Sequence, residues 1–178
     1  SWAAANMTGD EKILVACYTG HNAGHATLIL NLLGYDAYSL KFGMSSWNEK
    51  FDLWTGKLGS DYVDSFVNDA SPAKPEAGDY PMLETGMETG AEILDARIEY
   101  LLENGPAYMT WTDLMAAPED YFVIHYWGEE DYLGMGHFDG AIQYTPKASF
   151  GTATELATLP TDMPIAVYCY SGQTGSQM

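Results

Sequence analysis

The sequence predicts an α/β domain in which short parallel strands alternate with helices. The chain has 178 residues, and 47% of them are hydrophobic, which is enough to form a packed core. Several short apolar runs are bounded by polar residues, a pattern typical of buried parallel strands. Helical patterns separate some of these runs, and strand–helix–strand order predicts a parallel sheet with helices packed on it.

The first predicted elements form one strand–helix–strand unit. Residues 12–17 are a short apolar run and form the first predicted strand. A helix is predicted over residues 23–33, because its leucines fall on one face, and Gly34 is predicted to end it. Residues 36–42 alternate between two faces and form the second predicted strand.

The second half of the chain contains further strands and the clearest helix. Residues 68–81 carry three prolines and are predicted to be a linker. The clearest helix is predicted over residues 89–104, with Thr89 as its cap and Gly105 after its end. The remaining predicted elements are a short helix over residues 112–117 and strands over residues 121–126, 141–144 and 165–169.

One motif occurs twice in the chain. Both Ile13–Gly24 and Ile165–Ser176 contain an apolar run followed by Cys, Tyr, a hydroxyl residue and Gly. Cys17 and Cys169 are the only two cysteines, and they are about 150 residues apart, roughly the length of a domain. A cysteine at the end of a buried strand, before a loop of small residues, predicts a reactive thiolate held by backbone amides.

Two other roles for the cysteines remain open at this point. Cys17 and Cys169 could form a disulfide, although equivalent positions in two repeats are usually far apart and a disulfide needs close Cα atoms. Each cysteine could instead be a small buried hydrophobic residue. The repetition of the whole loop favours a functional role.

The charge of the chain limits its partners. Seven Lys and Arg residues stand against 25 Asp and Glu residues, for a formal net charge of −18. This charge argues against nucleic acids and anionic membrane surfaces as partners. No run approaches the roughly 20 apolar residues of a membrane span. Residues 1–6 lack the features of a signal peptide, and both ends of the chain suggest a window cut from a longer protein.

Several segments resemble the rhodanese-like sulfurtransferase family. One is Gly136-His137-Phe138-Asp139-Gly140-Ala141-Ile142, which is similar to the Gly-His-x-x-Gly-Ala turn of the family. The other matching segments are the strand, cysteine loop and helix of Ile13–Leu33, the segment Leu33–Trp47 with its Gly-x-x-x-Trp turn, the segment Tyr121–Tyr132, and the second cysteine loop Ile165–Gly175. The resemblance implies a rhodanese-like parallel sheet flanked by helices.

The order of the matching segments is unusual for that family. Residues 1–60 resemble the carboxyl half of one domain and residues 107–178 the amino half of the next, joined by a linker and an amphipathic helix over residues 61–106. Either the chain is a window from a tandem protein, which we favour as its origin, or the halves pack as one domain in permuted order. The chain departs from the family at His125-Tyr126-Trp127, where members usually have Asp-Val-Arg.

The resemblance implies transfer of sulfane sulfur through a cysteine persulfide. The expected partners are a small sulfur-donor anion, such as thiosulfate or a persulfide, and a thiol or cyanide-like acceptor; no cofactor or metal is expected. Cys17 and Cys169 are the predicted catalytic residues, with Cys17 favoured because its following helix is present. The predicted substrate-binding residues supply loop amides: Tyr18, Thr19, Gly20, His21, Asn22 and Ala23 around Cys17, and Tyr170, Ser171, Gly172, Gln173, Thr174 and Gly175 around Cys169. The alternative is a non-catalytic rhodanese-like module that binds a partner or carries sulfur.

Other chemistries fit the motifs less well. A phosphatase loop of similar shape needs an arginine to clamp phosphate, and the corresponding positions hold Ala23 and Gly175. A metal site at Cys17, His21 and His25 would need a helix that begins early, which Gly20 and Gly24 disfavour. His137 is expected to be structural and to bond the backbone, and the acidic cluster at residues 129–131 is expected to be a solvated surface.

Overall fold

The computed structural model of the chain describes residue 8 and residues 10–178. The chain divides into two compact units, Ser1–Gly59 with Ser171–Met178, and Ser60–Tyr170. Each unit combines helices with parallel strands, which confirms the predicted α/β class.

The first unit contains the predicted strand–helix–strand arrangement. Strand β1 (Lys12–Val15) is followed by helix α1 (His21–Leu32) and strand β2 (Asp36–Ser39). The two strands are parallel, with Lys12 opposite Asp36 and Val15 opposite Ser39. Both strands end earlier than predicted, because the chain turns after each of them, and α1 begins two residues earlier than predicted.

Helix α1 ends where the sequence predicts. Gly34 has φ 91°, a left-handed conformation that favours glycine. The Gly34 N–H donates to the carbonyl oxygen of Asn31 and the Tyr35 N–H to that of Leu30, both at 3.0 Å, which is a Schellman motif. The Asn31 side chain also bonds the backbone of Ala37 in β2, at 3.0 and 3.2 Å. These bonds fix the strand against the helix.

The second unit contains a three-stranded parallel sheet. Strands β4 (Phe122–Tyr126), β6 (Ile142–Tyr144) and β7 (Ile165–Tyr168) lie in the order β6-β4-β7. All pairings are parallel, and His125 lies opposite Tyr168. Apolar residues cover both faces of the sheet. One face contains the cluster Leu114, Val123, Phe138, Ala141 and Ala166, and the other contains Ile124, Tyr126, Ile142 and Tyr144.

Two helices of the second unit begin at capping boxes. Helix α2 (Gly90–Asn104) is capped by Thr89 together with Glu92, and helix α3 (Trp111–Ala116) by Thr110 together with Asp113. The buried face of α2 is narrow, because Ile98 is buried whereas Leu94 and Leu102 are exposed. In the part of the chain that the structure describes, no helix is long and apolar enough to cross a membrane.

Three short elements of the second unit were not predicted. Strand β3 (Phe66–Val67) pairs antiparallel with β5 (His137–Phe138), and both are too short to show a period. Helix α4 (Glu129–Met135) begins with the acidic cluster that the sequence assigned to a solvated surface. Acidic residues in a first helical turn are favourable, and Gly136 with φ 88° follows the helix, so a signal for α4 was present.

The segment predicted as a linker packs on the second unit. Residues 68–81 contain no helix or strand. Ser71 Oγ accepts from the N–H of Gln143 at 3.1 Å, and Lys74 forms an ion pair with Glu155 at 2.7 Å. The described strands form three sheets: β1 with β2, β3 with β5, and β4 with β6 and β7.

Candidate functional site

Cys17 lies just after β1, at the amino end of helix α1. Its side chain is partly exposed. The sulfur accepts hydrogen bonds from the N–H of Gly20 at 3.1 Å and from the N–H of Ala23, in the first turn of α1, at 3.4 Å. Donors and the positive end of a helix dipole stabilise negative charge on a group placed there. Two of the amides predicted to hold Cys17 therefore face its sulfur.

The sulfur of Cys17 accepts from the helix amide that a capping side chain bonds in α2 and α3. In α2 and α3 the third amide of the helix donates to a threonine hydroxyl, whereas Gly20 gives α1 no side-chain cap. The three amide–acceptor distances are 3.3 Å from Glu92 N to Thr89 Oγ1, 3.2 Å from Asp113 N to Thr110 Oγ1, and 3.4 Å from Ala23 N to Cys17 Sγ. The first turn of α1 thus donates to the sulfur.

The loop that carries Cys17 is held by the turn after β2. The N–H of Met44 donates to the carbonyl oxygen of Cys17 at 2.8 Å, and the N–H of Ser45 to that of Tyr18 at 2.9 Å. Gly43 has φ 63°, and a Cβ added there would lie 2.4 Å from the Cys17 oxygen. Only glycine allows the two loops to approach this closely.

His21 is held at both of its ring nitrogens. Nε2 lies 2.5 Å from the carbonyl oxygen of Ser171, so it carries a proton and donates. In the neutral ring, Nδ1 then accepts from the hydroxyl of Thr19, at 3.2 Å. The ring also packs edge-on against Trp54, with centroids 5.5 Å apart. His21 therefore ties the first turn of α1 to the loop before it, while Asn22 beside it is exposed.

Residues predicted to surround Cys169 lie instead against the first cysteine loop. Ser171–Met178 belongs to the first unit. Within it, Gln173 is buried, and its Oε1 accepts from the N–H of Phe42 at 2.9 Å. Its Nε2 lies 3.2 Å from the oxygen of Leu40 and from Ser39 Oγ. Thr174 and Gly175 accept backbone hydrogen bonds within the short helical turn that follows, from Gln177 and Met178 respectively.

Cys169 and Tyr170 belong to the second unit, where their surroundings differ from those of Cys17. Cys169 packs, partly buried, against the apolar cluster on one face of the β6-β4-β7 sheet. The ring of Tyr170 stacks on Trp127, with centroids 5.8 Å apart. The similar sequences of the two loops did not predict that their cysteines have different surroundings.

The other roles considered for the cysteines are a disulfide and a metal site. Neither Cys17 nor Cys169 takes part in a disulfide bond. Helix α1 begins at His21 in spite of Gly20 and Gly24, contrary to the expectation for this segment. Among the described residues, no group of three or more His, Cys, Asp or Glu side chains is arranged to hold a metal ion.

A second group of polar side chains is buried in the other unit. His125 is 7% exposed, and its ring packs edge-on against Tyr132 and Tyr168. In the described part of the chain, its Nδ1 has no hydrogen-bond partner. Burial, with a smaller effect of His137, lowers the pKa of His125. His137 Nδ1 lies 3.0 Å from the carbonyl oxygen of Tyr132, which confirms the predicted bond to the backbone.

Comparisons of the chain with family models, with curated proteins and with solved structures found no match. The chemistry of the site is therefore inferred from the geometry around Cys17 and from the motifs in the sequence.

Proposed function

We propose that the protein is a rhodanese-like sulfurtransferase that carries sulfane sulfur on Cys17. The observation that supports this proposal is the pair of hydrogen bonds from the amides of Gly20 and Ala23 to Cys17 Sγ. A sulfur that is partly exposed and lies at a helix amino end has the surroundings of a nucleophilic thiolate. Cys17 is preferred to Cys169 because the twelve-residue helix α1 follows its loop.

The proposed reaction has two balanced half-reactions. The Cys17 thiolate attacks the outer sulfur of thiosulfate, the sulfur–sulfur bond breaks, and sulfite leaves with its electron pair. Cys17 then holds a persulfide. Cyanide attacks the terminal sulfur of the persulfide, thiocyanate leaves, and the thiolate of Cys17 forms again. A thiolate acceptor would take the same sulfur and become a persulfide itself. Neither half-reaction needs an added oxidant or reductant.

Backbone amides support the binding of an anionic donor in a chain with few cations. The formal net charge of −18 repels thiosulfate at long range. Close to the sulfur, however, the amino end of α1 has partial positive charge that does not depend on lysine or arginine. The same amides would stabilise the terminal sulfur anion of the persulfide.

The proposal is tested by the intact mass of the reduced chain after thiosulfate and then after cyanide. The wild-type protein and the Cys169→Ser variant should each gain one sulfur, which cyanide then removes. The Cys17→Ser variant should gain none, and its circular dichroism should match that of the wild type because serine preserves the side-chain volume. Absence of a gain in the folded wild type, or a gain in Cys17→Ser that Cys169→Ser lacks, would contradict the proposal.

A further inference from the structure

Gln173 packs directly against the residue that donates to Cys17. Gly20 has φ 92°, and a Cβ added there would lie 2.7 Å from both Cδ and Nε2 of Gln173. The amide plane of Gln173 therefore occupies the space beside the Gly20 Cα. The N–H of this same Gly20 donates to the sulfur of Cys17 at 3.1 Å. A change in the position of Gln173 would release the Gly20 backbone.

The side-chain amide of Gln173 is itself held firmly. Its oxygen accepts from the N–H of Phe42, and its nitrogen lies within hydrogen-bond distance of the Leu40 oxygen and of Ser39 Oγ. Gln173 is 8% exposed. A buried amide that uses both its oxygen and its nitrogen has one favoured orientation. Gln173 thus connects the end of β2 to the turn before α1.

The segment around Gln173 contacts the start of α1 at two further places. A Cβ added to Gly172, which has φ 79°, would lie 2.8 Å from His21 Nε2. A Cβ added to Gly24 would lie 2.6 Å from Ser176 Oγ. Ser171–Met178 therefore packs closely along the first turn of α1, and these contacts all lie within the first unit.

We propose that Gln173 is a positioning residue for Cys17, and that through it the segment Ser171–Met178 supports the reactivity of the first cysteine loop. The proposal rests on the proposed function, in which Cys17 is the nucleophile. With Gln173 in place, the Gly20 turn keeps its N–H directed at the sulfur. When the segment is displaced or Gln173 is changed, the Gly20 turn relaxes and the negative charge on the sulfur loses a donor.

The test is the rate of Cys17 alkylation by iodoacetamide across a range of pH, in a Cys169→Ser background. Gln173→Met keeps the length of the side chain and removes its hydrogen bonds. At neutral pH its alkylation should slow about two- to fivefold, the size expected for a weakened interaction of a charge with a helix end. Its pH profile should move to higher pH, while the rate at the alkaline plateau should stay the same.

Gln177 provides the matched control for this test. It lies in the same segment and is exposed, and its Nε2 is 3.2 Å from the same Ser39 Oγ that Gln173 contacts. Gln177→Met should therefore have the pH profile of the background protein. If Gln173→Met fails to fold, Gln173→Glu replaces it, because the carboxylate keeps the acceptor for Phe42 and loses the donors. That variant should also alkylate more slowly at neutral pH.

The pH profile separates this proposal from the proposed function. A folded Gln173 variant whose profile matches that of Gln177→Met would overturn the positioning role. Loading of sulfur from thiosulfate is measured separately on the Cys169→Ser protein. If that protein takes up no sulfur while the Gln173 profile still shifts, sulfur transfer is wrong and the positioning of Cys17 by Gln173 stands.

Discussion

The two cysteine loops share the motif of Cys, Tyr, a hydroxyl residue and Gly, and they have different surroundings. Cys17 is followed by the twelve-residue helix α1, whose first turn donates to the sulfur. Cys169 packs against an apolar cluster, and the residues after Tyr170 belong to the first unit. The repeated motif therefore specifies a strand end and a turn. The hydrogen bonds to Cys17 Sγ come from Gly20 in that turn and from Ala23 in the helix that follows it.

The second copy of the motif contributes to the first site. Gln173 and Gly172 correspond in the motif to His21 and Gly20, and they lie against those same residues in the first unit. The two copies are therefore complementary in the structure, since one holds the proposed nucleophile and the other supplies residues that support it. Substitutions that affect only one copy can test this difference.

The largest expected effect is a loss of stability when Gly43, whose backbone contacts the Cys17 loop, is substituted. Gly43→Ala places a Cβ at 2.4 Å from the Cys17 oxygen and at 2.6 Å from two backbone atoms of Tyr18. We expect the free energy of unfolding to fall by at least about 2 kcal/mol, since neither the backbone strain nor the clash can be relieved by side-chain movement. Urea unfolding followed by circular dichroism measures the change.

Gly34→Ala is the control for that substitution. Gly34 also has a positive φ, 91°, but a Cβ there would meet nothing within 4 Å. Its substitution should cost only the left-handed conformation, about 1 kcal/mol. Equal losses of stability in the two variants would show that the contact between Gly43 and the Cys17 loop is not tight.

A smaller loss of stability is expected on acidification, and it should depend on His125 in the second unit. Burial lowers the pKa of His125 below its ordinary value of 6.5, so the unfolded chain binds this proton more readily than the folded chain. Stability from this residue is complete above about pH 6.5 and is lost as the pH falls below it. His125→Phe keeps an aromatic ring against Tyr132 and Tyr168 and should reduce this loss.

The measurement is the urea midpoint of both proteins between pH 7 and pH 5. If wild type and His125→Phe lose stability equally on acidification, His125 is not the residue responsible. Alkylation of Cys17 in the same samples, at pH 7, should not differ between the two proteins, because His125 lies in the second unit.

Much of the fold could be predicted because its elements have strong local patterns. The apolar runs predict β1, β4 and β7, Thr89 with Glu92 predicts the start of α2, and Gly34 predicts the end of α1. The two-residue strands β3 and β5 could not be predicted, because their pairing depends on residues distant in sequence.

The candidate site was predictable in part. The strand before Cys17 and the loop and helix after it are consecutive in sequence. Local patterns therefore predict a cysteine at the amino end of a helix. The support from Gln173 could not be predicted, because its partners Ser39, Leu40 and Phe42 are more than a hundred residues away. The motif occurs at both cysteines, and it does not indicate that residues of the second copy contact the first loop.

The central claim, that the first loop activates Cys17, is tested most directly by competition between the two cysteines within one molecule. The wild-type protein is treated with limiting iodoacetamide at neutral pH, and the alkylated fraction of each cysteine is measured by peptide mass spectrometry. The same measurement in concentrated urea corrects for the intrinsic reactivity of each sequence. We predict that folding raises the ratio of Cys17 to Cys169 alkylation. A ratio that folding leaves unchanged, or shifts toward Cys169, would contradict the account.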